Sequence, residues 1–397
     1  MAYRSMSTLV EQIRGVSYKP EDVRDYQDDS SITLLRANNI VDGAIELSDV
    51  VCVDRKCVSE SQILRRGDIL ICASSGSKNL VGKAAPFMID GEYTFGAFCK
   101  VVRPRDATEF DYISMFFQSS AYRREISSVA IGVNINNIRN EHIDSLSVSW
   151  PDADARKVIV EQLQSLMIVI QSRQRQLRAL DTLIKARFVE IFGDPVNNPK
   201  GWSMPLIEDT VSLEKNAIKA GPFGSALKKE YYVEKGYKIY GQEQVIAEDP
   251  NYGDYYIDEE RYKLLENCAV QAGDVLISLV GTYGKILIIP EQFEAGIINP
   301  RLMKLTFDKS RVNPYYFKYF FQSDSLKKAL ADNTHGGTMD ILNLGIVRKL
   351  AIPLPPIELQ NEFVSFVSQV NKSKAVVQAA LDKAQLLFDS LMQQYFG

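Results

Sequence analysis

The chain has 397 residues, 46% of them hydrophobic, and its 46 lysines and arginines against 50 aspartates and glutamates leave a formal charge of −4. This composition is typical of a globular protein, and the length indicates two or three domains rather than one. Because the sequence contains no run of about 18 apolar residues and opens with Met1-Ala2-Tyr3-Arg4 rather than an apolar secretory stretch, we expect a cytoplasmic protein that neither spans a membrane nor is exported.

The first 150 residues alternate short apolar segments with glycine, asparagine, aspartate and serine. Segments such as 69–72 and 99–102 contain β-branched residues and predict strands. Apolar residues that recur at three and four positions predict one helix over 110–128. We therefore expect a mixed, β-rich globular domain over residues 1–151.

A long helix is predicted next, because the pattern changes abruptly after Pro151 and glycine is absent until Gly193. Its apolar residues follow one another at strict steps of seven, at Leu163, Ile170, Leu177, Ile184 and Ile191. A seven-residue period sustained in this way is typical of a coiled coil. We assign this helix to residues 152–193.

The second half of the chain repeats this order. Residues 194–355 have the same β-rich texture, with one helix predicted over 314–331, and a second long helix is predicted over 356–397. The apolar residues of the second helix at steps of seven are Phe363, Val370, Val377, Ala384 and Leu391. Neither helix buries its apolar stripe alone, so we expect the two helices to pack on each other; packing of each helix on its own domain is the alternative.

Short matches in the same order along both halves indicate that the chain is two copies of one unit. The matching segments are Arg66-Gly67-Asp68-Ile69-Leu70 with Ala272-Gly273-Asp274-Val275-Leu276, Phe116-Phe117-Gln118-Ser119 with Phe320-Phe321-Gln322-Ser323, and Phe192-Gly193 with Phe396-Gly397.

The segments that resemble motifs for catalysis or for metal and cofactor binding each depart from the motif. The segment 76–84 has five residues between its glycines, where a phosphate-binding loop has four, and it ends in Ala84 instead of serine or threonine. The segment 313–316, Asn-Pro-Tyr-Tyr, lacks the second proline of the adenine methyltransferase loop and instead predicts a helix start. Two separated histidines, and five cysteines without a Cys-x-x-Cys pair, predict no catalytic triad, zinc site or disulfide framework. We expect a non-catalytic chain with reduced, buried thiols.

The remaining features are polar, aromatic and basic loops at equivalent places in both domains. Asparagine and arginine have the bidentate geometry that suits adenine and guanine edges, although a solvated turn is the alternative for any single loop. The candidate DNA-contacting residues of the first domain are Arg36, Asn38, Asn39, Ser75, Lys78, Asn79, Lys83, Asn134, Asn136, Asn137 and Arg139. Those of the second domain are Lys219, Phe223, Ser225, Lys228, Lys229, Tyr240, Gln242, Gln244, Thr282, Tyr283, Lys285, Arg301, His335 and Thr338. Because the loops differ chemically, two related modules would recognise two different short sequences.

Three segments make the chain resemble the specificity subunit of type I restriction-modification enzymes over nearly its whole length. They are Ala220-Gly221-Pro222-Phe223-Gly224-Ser225-Ala226-Leu227-Lys228, Ile352-Pro353-Leu354-Pro355-Pro356-Ile357-Glu358-Leu359-Gln360, and Phe192-Gly193-Asp194-Pro195-Val196-Asn197-Asn198-Pro199-Lys200-Gly201-Trp202. The first half departs from this pattern. It has Gly15-Val16-Ser17-Tyr18-Lys19-Pro20 where the second half has Gly-Pro-Phe-Gly-Ser, and Trp150-Pro151-Asp152 precedes its helix in place of Pro-Pro.

This resemblance implies an α+β fold. Two similar mixed, β-rich target recognition domains, 1–151 and 194–355, would be separated by a central conserved helix, 152–193, and a C-terminal conserved helix, 356–397, that pair as an antiparallel coiled coil. The domains would read the two halves of a bipartite double-stranded DNA site, and the paired helices would set the gap. The implied partners are two methyltransferase subunits and, through them, endonuclease subunits. S-adenosylmethionine, ATP and Mg are expected in those partners, with no cofactor in this chain.

Neither predicted domain is basic overall. Residues 1–150 carry 17 basic and 20 acidic residues, and residues 194–355 carry 19 and 21. Phosphate neutralisation provides most non-specific DNA affinity, so either the basic residues are concentrated on one face or the partner subunits supply much of the contact with the DNA backbone. Two other functions stay open: a recognition module of another modification or defence assembly, and a pair of domains that bind carbohydrate or peptide.

Overall fold

The computed structural model describes residues 2–77, 79–129, 136–279, 284–332 and 342–397. The chain divides into two compact units: unit 1 is Met1–Gln174 with Gln378–Gly397, and unit 2 is Arg175–Val377. Each unit combines a β-rich globular part with portions of two 40-residue helices. This division differs from the predicted one, in which each helix was a domain of its own, because the apolar residues of both helices belong to the cores of the units.

Unit 1 contains two four-stranded sheets. One is antiparallel, in the order β10-β8-β12-β2, and the other has the order β11-β4-β7-β3 with β11 parallel to β4. The strands are β1 (Tyr3–Ser5), β2 (Val10–Arg14), β3 (Val23–Arg24), β4 (Ser31–Leu35), β5 (Ile40–Val41), β6 (Ala44–Ile45), β7 (Val51–Asp54), β8 (Asp68–Cys72), β9 (Ser74–Ser75), β10 (Ala84–Phe87), β11 (Tyr93–Phe95), β12 (Cys99–Pro104), β13 (Asn136–Asn137) and β14 (Ser147–Ser149). The helices are α1 (Met6–Leu9), α2 (Phe110–Gln118), α3 (Ser120–Val129), α4 (Asn140–Asp144) and the first long helix, α5 (Ala153–Phe192).

Unit 2 has the same two sheets in the same order. The antiparallel sheet runs β20-β19-β22-β15, and the mixed sheet runs β21-β17-β18-β16 with β21 parallel to β17. The strands are β15 (Ile218–Ala220), β16 (Tyr232–Val233), β17 (Tyr237–Tyr240), β18 (Tyr256–Ile257), β19 (Val275–Ser278), β20 (Ile286–Ile288), β21 (Gly296–Ile298) and β22 (Leu302–Leu305). The helices are α6 (Gln242–Ala247), α7 (Glu259–Leu264), α8 (Pro314–Phe321), α9 (Asp324–Asp332), α10 (Leu344–Arg348) and the second long helix, α11 (Ile357–Phe396). The matching strand orders confirm the predicted duplication.

The central strand β8 explains why its sequence is a continuous apolar run. Ile69 and Ile71 belong to one buried cluster and Leu70 and Cys72 to another. Successive side chains on a strand point to opposite faces, so a strand with a core on each side needs apolar residues at every position. β19 of unit 2 is buried along its whole length in the same way.

The repeated Gly-Asp pair forms the turn that starts these central strands. Gly67 and Gly273 have φ angles of 95° and 88°, which favour glycine. The carboxylate of Asp68 accepts a hydrogen bond from the backbone N–H of Arg65 at 2.8 Å, and Asp274 accepts one from Gln271 at 2.9 Å. The motif is therefore structural in both halves.

Each helix predicted in the globular parts is two helices. In unit 1 the chain is extended at Ser119, whose hydroxyl accepts a hydrogen bond from the backbone N–H of Tyr122 at 3.1 Å and so caps a new helix. In unit 2 the interruption falls at the equivalent Gln322–Ser323. The predictions over 110–128 and 314–331 are therefore corrected to α2 with α3 and to α8 with α9.

The long helices contact each other within each unit. In unit 1, Ile159 and Leu163 share a core cluster with Met392 and Phe396. The start of α5 thus packs near the end of α11, as an antiparallel pair requires. Of the ten residues at steps of seven, the buried ones are Leu163, Ile170, Ile184, Phe363, Val370 and Ala384, and the half-buried ones are Leu177, Ile191, Val377 and Leu391.

In unit 2 the end of α5 packs near the start of α11. The Phe363 ring lies 5.5 Å from Phe188 and 5.4 Å from Phe192 between ring centroids. The helices also pack on the globular part, since Phe192 lies 4.8 Å from Tyr316. In unit 1, Phe396 lies 5.1 Å from Tyr112, and burial raises the pKa of Tyr112 to about 12. Packing between the helices and packing on the domains therefore occur together.

Among the described residues, no helix is both long and apolar enough to cross a membrane. The five cysteines are free thiols, and all except Cys57 are buried. No group of three or more His, Cys, Asp or Glu side chains within the described ranges is placed to hold a metal ion.

Candidate nucleic-acid interface

The turn after β4 holds three of the candidate residues: Asn38 is exposed, Arg36 is half-buried and Asn39 is buried. Asn39 is 1% exposed, accepts a hydrogen bond from the backbone N–H of Arg36 at 2.8 Å, and donates to the backbone oxygens of Glu46 and Asp49 at 2.8 and 2.9 Å. Its side chain therefore fixes the turn. This corrects the assignment of Asn39 as a DNA-contacting residue, because a buried, fully bonded amide is not presented to a ligand.

The turn after β17 in unit 2 has the same construction. Gln244 is buried, accepts from the backbone N–H of Gly241 at 2.7 Å, and donates to the backbone oxygen of Tyr252 at 2.6 Å. Tyr240 is also buried, and its hydroxyl donates to the backbone oxygen of Glu294 at 2.7 Å. The assignments of Gln244 and Tyr240 are corrected for the same reason.

A groove of about 720 Å³ lies beside the first of these turns in unit 1. Arg36 and Asn38 line it together with Tyr18, Ser74 and Phe98. Phe98 is 66% exposed. An exposed ring beside amide and guanidinium donors suits a nucleic-acid base, which offers both a face for stacking and an edge with acceptors.

A two-stranded ribbon carries further candidates of unit 1. Ser75 pairs with Asn136, and Ser74, which lines the groove, pairs with Asn137. Asn137 and Arg139 are exposed, and the Arg139 guanidinium lies 3.5 Å from an acidic neighbour, the carboxylate of Glu141. The ribbon therefore places polar side chains next to the residues around the groove.

Two candidate lysines occupy equivalent positions. The backbone oxygen of Lys83 accepts from Cys72 N–H at 2.8 Å, and that of Lys285 accepts from Ser278 N–H at 3.1 Å. Lys83 is half-buried and Lys285 is exposed. Asn79, in the loop before Lys83, is exposed. Both lysines thus pair with the last residue of a central strand.

A close backbone contact at an equivalent glycine shows which loop of unit 1 corresponds to which loop of unit 2, although the two loop sequences differ. A Cβ atom on Gly221 would lie 1.8 Å from the backbone oxygen of Asn299, and one on Gly15 would lie 2.1 Å from that of Gly96. Only glycine fits at either place. The segment that begins at Gly15 is therefore the counterpart of the Gly-Pro-Phe-Gly-Ser segment of unit 2.

The loop after Gly221 presents the other candidates of unit 2. Phe223 is 91% exposed. Ser225, Lys228 and Lys229 are also exposed, while Lys219 on β15 is half-buried. This loop thus combines an unpacked aromatic ring with basic side chains.

Phe98 and Arg301 hold the same position in the two units. The backbone oxygen of Phe98 accepts from Ala73 N–H at 2.9 Å, and that of Arg301 accepts from Leu279 N–H at 3.0 Å. Arg301 also donates from its guanidinium to the side-chain oxygen of Gln242 at 3.4 Å. Arg301 is among the residues predicted from the sequence and Phe98 is not, although each residue directly precedes a matching strand, β22 or β12.

Six candidates lie outside the described residues: Lys78, Asn134, Thr282, Tyr283, His335 and Thr338. Asn136 lies on β13, and its side chain is not described.

Some basic residues are internal and pair with acidic or polar groups. Lys238 is buried and lies 2.7 Å from the carboxylate of Glu294, and this hydrogen bond lowers the pKa of Glu294 against the opposing effect of burial. Lys304 lies 3.3 Å from Asp274. Burial lowers the pKa of Lys100. These three buried lysines therefore do not present their charge at the protein surface.

The protein family described as type I restriction modification DNA specificity domain matches residues 58–181 and 222–383. The chain belongs to this family. Each matched region runs from a β-rich part into a long helix. The specificity domain is thus present twice, in agreement with the duplicated sheets.

Relatives and solved structures agree with this membership. The EcoKI specificity subunit of Escherichia coli K12 is 29% identical, over 98% of this chain and 86% of that protein. The StySPI specificity subunit of Salmonella potsdam is 27% identical with the same coverage. The S subunit from M. genitalium gives a TM-score of 0.54 at 12% identity, covering 100% of this chain and 96% of that one.

A chain from a structural study of complex assembly and conformational transition in the type I R-M system gives a TM-score of 0.58 at 15% identity, covering 100% and 97%. The solved structures support the α+β fold with two similar domains. The family match and the two curated relatives place this chain among type I restriction-modification specificity subunits.

Proposed function

We propose that unit 1 and unit 2 each read one half of a bipartite double-stranded DNA site, and that the chain itself carries no active site. The contrast between a shared framework and different exposed side chains carries this proposal. Phe98 and Arg301 occupy equivalent positions, and Asn38 and Glu243 precede the equivalent capping amides. Two modules of one construction with different contact residues suit two different half-sites.

The proposed partners are two methyltransferase subunits and, through them, endonuclease subunits. They would hold S-adenosylmethionine, ATP and Mg, so this cytoplasmic chain needs no cofactor of its own. Family membership supports this assignment. The net acidity of residues 1–150 and 194–355 also supports it, because partner subunits can supply phosphate contacts that the two domains lack.

An exchange of domains tests the proposal. Residues 1–150 are replaced by the corresponding region of a relative with another target, and the chimera is expressed with its methyltransferase subunits. Sequencing of methylated bases in the host genome should show one half-site changed and the other retained, because each unit carries its own exposed residues. Exchange of residues 194–355 is the control and should change the other half. Alteration of both halves by a single exchange would contradict reading by separate units.

A further inference from the structure

One carboxylate accepts hydrogen bonds from two of the polar side chains that line the unit 1 groove. Asp49 Oδ1 accepts from the Arg36 guanidinium at 2.9 Å, and Oδ2 accepts from the Asn38 amide at 2.7 Å. Asp49 is 71% exposed and Arg36 35% exposed. Arg36 Nε, in addition, is a buried atom with no hydrogen-bond partner among the described residues. An exposed carboxylate therefore engages one guanidinium nitrogen of Arg36 and the amide nitrogen of Asn38.

The backbone of the turn does not depend on this carboxylate. Asn39 bonds the backbone of Arg36, Glu46 and Asp49 through its own amide. Replacing the Asp49 side chain leaves those three hydrogen bonds in place. The contacts of Asp49 Oδ1 and Oδ2 are thus additional to the fold of the turn.

The chemistry of the contact resembles that of the proposed ligand. A carboxylate presents two acceptor atoms side by side, as do the O6 and N7 edge of guanine and the oxygens of a DNA phosphate. Arginine donates in a bidentate way to all three. The negative charge of Asp49 also opposes phosphate contacts, which provide non-specific affinity.

We propose that Asp49 is a specificity-determining residue that occupies the donors of Arg36 and Asn38 until a DNA site supplies acceptors to both. A non-matching sequence then has to displace the carboxylate without replacing both hydrogen bonds, and it binds less well. This inference rests on the proposed function, since it assumes that the groove faces DNA.

The test uses the complex with methyltransferase subunits and a duplex whose target has been determined from methylated bases. Asp49→Asn keeps the shape of the side chain and removes its charge. We expect the affinity for an unrelated duplex to rise about two- to fivefold, the range of one exposed ion pair, with a smaller change for the target duplex. The discrimination ratio should fall, and the salt dependence on the unrelated duplex should steepen by about 0.9 because one arginine is released.

Asp90→Asn is the matched control, because Asp90 is also an exposed carboxylate beside an arginine, 3.5 Å from Arg66, and Arg66, unlike Arg36, does not line the groove. It should leave the discrimination ratio unchanged. An Asp49→Asn complex with the ratio and salt dependence of the wild type, and only a lower melting temperature, would overturn the inference in favour of a structural role. If the wild-type complex itself fails to distinguish the two duplexes, the proposed function fails instead.

Arg36→Ala identifies the DNA group that replaces the carboxylate. A loss of affinity confined to one base position of the target indicates a guanine edge, whereas a uniform loss across sequences indicates a phosphate. Either result supports displacement of Asp49. Unchanged binding of every duplex by Arg36→Ala would overturn it.

Discussion

At the scale of single residues, the turn after β4 separates a structural amide from an exposed one. Replacing Asn39 by alanine leaves the backbone oxygens of Glu46 and Asp49 without their buried donor. We expect Asn39→Ala to lower the free energy of unfolding by about 2–3 kcal/mol, measured by urea denaturation. Asn38→Ala is the control, because this exposed side chain contributes about 0.5 kcal/mol or less.

A different outcome would show that Asn39 contacts DNA. In that outcome the Asn39→Ala variant is fully stable, and its complex with methyltransferase subunits methylates an altered first half-site.

Sequence reasoning could not separate these two amides, because asparagine caps turns and contacts adenine with the same chemical group. The repeat held the missing information. Asn39 and Gln244 bond the backbone three residues earlier in both units, and a shared structural role requires such a match. Exposed residues at equivalent positions, in contrast, differ between the units, as Phe98 and Arg301 do.

At the scale of secondary-structure elements, an aromatic cluster joins the long helices to the globular part of unit 2. Phe363 is buried and contacts the rings of Phe188, Phe192 and Tyr319. We expect Phe363→Ala to lower the free energy of unfolding by about 3–5 kcal/mol, the cost of a large cavity. Val376→Ala, on the same helix and 71% exposed, should change it by about 0.5 kcal/mol or less.

Hydrogen exchange locates the effect. Phe363→Ala should increase the exchange of amides in α8 and at the start of α11, since both elements contribute to the cluster. A variant that retains wild-type stability and protection would show that the long helices are held by other contacts.

The seven-residue period predicted the long helices, because it continues without glycine over the whole of each one. Apolar spacing of three and four did not reveal the break at Ser119, because apolar residues continue at that spacing on both sides of it. A single serine in an extended conformation that caps the next helix does not change the spacing of the apolar residues. Strand pairing was also beyond the sequence, because residues far apart in the chain form each sheet.

At the scale of the whole molecule, the proposed function gives each of the two similar units one half-site to read. We then expect the separation of the half-sites to depend on the elements that connect the units. Both long helices have 40 residues, and the heptad positions near their middles, Leu177 and Val377, are half-buried. We expect the length of these helices to determine the number of unread base pairs.

Inserting one heptad after Leu177 and another after Val377 tests this expectation. Seven residues are close to two turns and keep the apolar stripe in register, and they lengthen a helix by about 10 Å, or about three base pairs. In complex with methyltransferase subunits, the variant should direct methylation to the same half-sites with about three more base pairs between them, as sequencing of methylated bases measures. Four-residue insertions are the comparison, because they turn the stripe by about 40° beyond a full turn and should impair folding. A folded, active heptad variant that keeps the original gap would show that contacts other than helix length separate the two reading surfaces.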